Sequence, residues 1–254
     1  MIKVLNVLHS SQNLTQFIRA WSALKPTEAS SLGITLRQVL GYLQTFDPSW
    51  HPKDRPPSES WDSFLVECFS QLIGWIKEEH LKKISNSDLS FILNELAKLV
   101  MMPRYQQVKL NSQLIHLILA HIVKNIVQVA AIDAAYCLWA FSKFLEGKHI
   151  IIDESSSQAL YVLRQHIIIN KTAIEAKGLA IAVLALIRIM ERSEAVPFDK
   201  HMKADLEDMI LFLAAQNPQD PTLQQSYANI LFSIGRLTML PIIETKDSSS
   251  ATQY

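Results

Sequence analysis

The chain has 254 residues, 49% hydrophobic and 19% charged, with 24 basic residues against 24 acidic ones. These proportions exclude a disordered chain, and zero net charge argues against a dedicated nucleic-acid binder, which draws affinity from a basic excess. Only 6 glycines are present, which disfavours strand-and-turn folds and Gly-rich phosphate loops and favours helices.

In chain order, residues 1–46 read as a short N-terminal helical piece. Leu14 to Leu24 forms one helix, with Asn13 as its cap and Pro26 as its stop, and Thr35 to Thr45 forms a second. The first 27 residues carry only Lys3, Arg19 and Lys25 as charges, a pattern also compatible with an organelle-targeting presequence. Residues 47–60 contain Pro48, Pro52, Pro56 and Pro57 and read as a linker. A helical-repeat domain is expected over 61–240. Its helices are predicted at Trp61–Leu81, Asp88–Met101, Leu110–Val127, Ile132–Leu145, Ser155–Ile167, Ala173–Met190, Lys200–Ala215 and Pro221–Leu237, with Ser87 and Thr172 as caps. The polar, Ser-rich stretch at 241–254 is expected to be a disordered tail. No run of about 18 apolar residues occurs, so no membrane span is expected.

Four segments superpose without gaps: Leu93 to Val100, Leu138 to Leu145, Val183 to Met190 and Leu231 to Thr238. They begin 45, 45 and 48 residues apart and share the order aliphatic, any, usually small, apolar, any, basic, apolar. One helical hairpin cannot bury both faces of such a stripe, whereas a stack of hairpins makes a continuous core. The predicted fold is therefore all-α, an α-solenoid of stacked helical hairpins with about four repeats.

At Leu138-Trp-Ala-Phe-Ser-Lys-Phe144 and Leu93-Asn-Glu-Leu-Ala-Lys-Leu99 the chain resembles octotricopeptide-type repeats. The same helix occurs in FAST-kinase-domain proteins and in related repeat proteins of intracellular bacteria. The third and fourth copies depart from that pattern, with arginine for lysine and Gly235 for alanine, and the period is longer than the usual unit. The resemblance implies a helix-pair solenoid and, for organellar members, RNA binding. For the bacterial members it implies a possible effector delivered into a host cell.

Catalytic motifs are not expected. His116 and His121 are five apart with no glutamate between them, so a His-Glu-x-x-His zinc site is absent from the sequence. Glu78-Glu79 and Glu207-Asp208 are adjacent and splay apart on a helix. Cys68 and Cys137 read as buried small hydrophobes in a reducing compartment such as the cytoplasm. The repeated basic position is the sharpest lead. Lys98, Lys143, Arg188 and Arg236 would form a ladder along one edge of a stacked array, tracking a phosphate backbone or an acidic protein. The alternative reading makes each a solvated residue complementing a helix C-terminus. Trp139, Phe141 and Phe144 are expected in the core. The expectation is a non-enzymatic scaffold that takes a protein partner in its groove, with single-stranded RNA as the alternative and no cofactor, metal or small-molecule substrate.

Overall fold

A computed structural model describes residues 33, 36–37, 39–41, 43–44, 61–192, 200–215 and 224–237. The expected first helix at Leu14 to Leu24, the Pro-rich linker and the polar tail lie outside these residues. Among the described residues every regular element is helical. The chain divides into two compact units, Met1–Val129 and Ala130–Tyr254.

The first unit contains helical residues between 33 and 44, α1 (Trp61–Trp75), α2 (Glu78–Leu81), α3 (Asn86–Met101) and α4 (Ser112–Lys124). The apolar spacing of Leu65, Phe69, Leu72 and Ile73 gives α1 one buried face. The single helix expected over Trp61–Leu81 is interrupted: Lys77 has extended backbone and caps α2. Ser85, rather than Ser87, caps α3; its hydroxyl accepts from the Asp88 amide at 3.1 Å and donates to the Asp88 carboxylate at 2.8 Å. α3 packs against α4 and α2 against α4, with a 3-10 turn at Pro103–Tyr105 touching α1 and α3. Tyr105 is wholly buried, meets Phe69 edge-on at 5.1 Å and donates its hydroxyl to the Leu43 carbonyl. Arg37 bonds Asp88 at 3.0 Å, a second tie from the 33–44 segment to the start of α3.

The second unit contains α5 (Ala131–Glu146), α6 (Glu154–Ile169), α7 (Ala176–Arg192), α8 (Lys200–Ala214) and α9 (Gln224–Leu237). Thr172 does not cap α7. It lies in a 3-10 turn, Lys171–Ala173, which delays the helix to Ala176. α7 packs against α5, α8 and α9, and α5 packs against α6. A helix touched by three others must be apolar nearly all round, and α7 buries eleven residues between Gly178 and Met190. At its start Gly178 lies so close to Ile132 of α5 that a Cβ there would collide with the isoleucine methyl. α6 and α8 are joined by charge. Arg164 lies 3.0 Å from Asp205, Gln165 donates to Asp205 at 3.1 Å, and Lys171 pairs with Asp208. α7 thus touches both α5 and α9, while α6 and the turn after it meet α8 through these ion pairs.

Candidate functional site

The repeated motif lies on α3, α5, α7 and α9, and its core positions behave as expected in the first three. Leu93, Leu138 and Val183 are wholly buried, as are Leu99, Phe144 and Ile189. Phe141 and Phe144 are core residues, whereas Trp139 is half-buried. α9 departs from the others. It buries Ile230 and leaves Leu231 70%, Phe232 54% and Ile234 38% exposed.

The basic residues are brought to the helix surfaces, and Lys98, Lys143 and Arg236 each pair with a carboxylate. In the first unit Lys98 bonds Glu95, three residues earlier on α3, whose side chain is only 4% exposed. In the second unit the pairs join neighbouring copies of the motif. Lys143 bonds Glu146 at 2.7 Å, and Arg192 of α7 reaches the other oxygen of Glu146 at 3.8 Å. Lys143, then Arg192 and Arg188, hold the Glu146 carboxyl below the ordinary glutamate range despite its partial burial. One repeat later, Arg236 of α9 pairs with Glu191 of α7. Glu146 and Glu191 occupy the same motif position, 45 residues apart, so the acid of one copy meets basic groups of the next. The Oε2 atom of Glu191 is buried and accepts no hydrogen bond, which makes its counter-ion matter more.

Sequence reasoning found the basic positions and missed their acids. The missed signal was the 45-residue spacing of Glu146 and Glu191. Three acids of α8 are also engaged: Asp205 pairs with Arg164 of α6, Asp208 with Lys171 of the 3-10 turn that follows it, and Glu207 with Lys203 at 3.7 Å.

Some apolar side chains on the same helices are partly or largely exposed: Tyr136 and Trp139 on α5, Ile181 on α7 and Phe232 on α9. Lys143 sits 6.0 Å from the Trp139 ring centroid and the Arg236 guanidinium 5.2 Å from that of Phe232, as i, i+4 spacing allows.

Other chemistry-bearing groups are dispersed. An open hollow of about 500 Å³ is lined by Asp62, Met102, Pro103 and Arg104, whose two charges face each other at 3.4 Å. Burial, reinforced by Glu67, pushes the Cys68 thiol up to about 12, so its nucleophilic thiolate is suppressed. Among the described residues no three His, Cys, Asp or Glu side chains gather as a metal site needs, and no helix is long and apolar enough to cross a membrane.

No known protein family, curated protein or solved structure matches the chain.

Proposed function

We propose that the chain is a non-enzymatic helical-repeat scaffold, stacked as an α-solenoid of octotricopeptide-like hairpins, that binds a protein partner. The observation that carries this reading is the fate of the basic ladder. In the second unit Lys143 and Arg236 are held by Glu146 and Glu191, and Arg188 lies in the field of Glu146. A phosphate backbone binds by releasing counter-ions from unneutralised cations, and intramolecular carboxylates remove that driving force. What stays accessible is aromatic and aliphatic: Tyr136, Trp139, Ile181 and Phe232. Such side chains are enriched where proteins meet proteins.

Single-stranded RNA is the second reading, favoured by the two cation-over-ring pairs, Lys143 with Trp139 and Arg236 with Phe232. Stacking platforms beside basic groups suit exposed bases. A photo-crosslinking residue placed at Trp139 or Ile181 separates the two. Adducts from a cell extract that survive nuclease and vanish with protease support the protein reading. Adducts that nuclease removes support RNA and overturn it.

A further inference from the structure

α8 is held to its two neighbours in unlike ways. It packs on α7, and its apolar stripe is narrow: from His201 to Ala215 only Met202, Leu206, Met209 and Leu213 are buried, at helical spacing. α7 buries eleven residues over a similar length, so far less apolar area fixes α8 than fixes the helix beneath it. α6 and α8 are not closely packed, and long side chains cross the gap between them. Arg164 reaches Asp205, Gln165 donates to the same carboxylate, and Lys171 pairs with Asp208.

Arg164 makes this junction costly to keep shut. Its side chain is 8% exposed, so its charge has lost most of its water. One terminal N–H donates to the Met202 Sδ atom at 3.0 Å, and a thioether is a weak acceptor. Nε lies 3.0 Å from Asp205 Oδ2, yet it is buried and makes no hydrogen bond. A buried charge is stabilised only when its donors are met with good geometry, and here they are not. Water would meet them better. The desolvated guanidinium therefore opposes the closed position of α8, while its attraction to Asp205 and the Lys171–Asp208 pair, with Asp208 48% exposed, holds it.

We propose that α8 is a charge-latched flap, which lifts from α6 and α7 as one piece while α5 and α7 stay folded, with Arg164 and Asp205 as the latch. Lifting hydrates Arg164 and uncovers the part of α7 on which α8 packs. The device governs access to the central helix of the unit whatever macromolecule the chain binds.

Native-state hydrogen exchange of the full chain, read by mass spectrometry on peptides from α5, α7 and α8, tests it. Amides of α8 are expected to exchange at least about tenfold faster than the slowest amides of α5 and α7, because they open locally. Asp205→Asn leaves Arg164 buried against a neutral amide, and should speed α8 by about tenfold while the slowest α7 amides keep their rate. Arg164→Met combined with Asp205→Leu replaces the latch with hydrocarbon of similar bulk, and α8 should then exchange about tenfold more slowly than in the unaltered protein. Exchange of α8 at the rate of α5 and α7 in the unaltered protein overturns the proposal. Equal acceleration of all three helices in Asp205→Asn also overturns it, since opening then belongs to the whole unit. A double variant whose α8 exchanges as fast as the original, or faster, overturns it as well, because the buried charge then does not set the cost of closing.

Discussion

Removing Arg236 should destabilise the second unit more than neutralising its partner Glu191 does. The Glu191 side chain is 12% exposed and one of its oxygens lacks any hydrogen bond, whereas Arg236 is 48% exposed. Two unit charges about 4 Å apart interact by about 4 kcal/mol at an effective dielectric of about 20. Solvent at the arginine and the cost of holding its side chain reduce this, and we expect a coupling near 1 kcal/mol. Arg236→Ala strands a mostly buried carboxylate and removes the cation over Phe232, for a total loss of about 2 kcal/mol. Glu191→Gln takes away the buried charge together with the pair, and should cost only about 0.5–1 kcal/mol. Urea unfolding of both single variants and the double variant, followed by far-ultraviolet circular dichroism, yields the coupling as the departure from additivity. The reasoning is refuted if the coupling falls below about 0.3 kcal/mol, or if the glutamine variant is the less stable of the two singles.

Three further outcomes follow from local geometry. Lys148, just past α5, has φ 57, a left-handed backbone in which a lysine Cβ is crowded, so Lys148→Gly should raise stability by about 1 kcal/mol in the same unfolding assay. Gly178→Ala sets a gain of about 1 kcal/mol in helix propensity against overpacking of about 1–3 kcal/mol where the new methyl meets Ile132 and Ile174. It should destabilise by about 1 kcal/mol, and adding Ile132→Ala should recover part of the loss if that collision is its cause. Burial lowers the pKa of His149 from 6.5, so below that pH the unfolded chain takes up a proton that the folded chain resists. Stability should therefore fall as pH drops from 6.5 toward the lower folded value, and His149→Gln should flatten that slope in urea midpoints measured from about pH 7 to 5.

Much of the helical framework is legible in the sequence because apolar residues recur at helical spacing. α3, α5 and α7 lie within two or three residues of their expected ends. The boundary errors have a common origin in short turns that no apolar period marks. Lys77 breaks the run from Trp61, and 3-10 turns at Ile126–Gln128 and Lys171–Ala173 shorten α4 and delay α7. The basic positions were legible as a repeat, but what answers them was not. Glu191 meets Arg236 across a packing interface 45 residues away in sequence, and only helix neighbours in space reveal that meeting. The exposure of α9 was equally hidden: its pattern matches that of α7, yet Leu231 and Phe232 are exposed where Val183 and Leu184 are buried.

The central claim, that the repeated cations serve the fold rather than a phosphate chain, is tested most directly by titrating random-sequence single-stranded RNA with the full protein across a salt series. No saturable binding at low salt is the predicted result. Micromolar binding that weakens steeply with salt, and is lost when Lys143, Arg188 and Arg236 become alanine in variants that remain folded, would contradict the account.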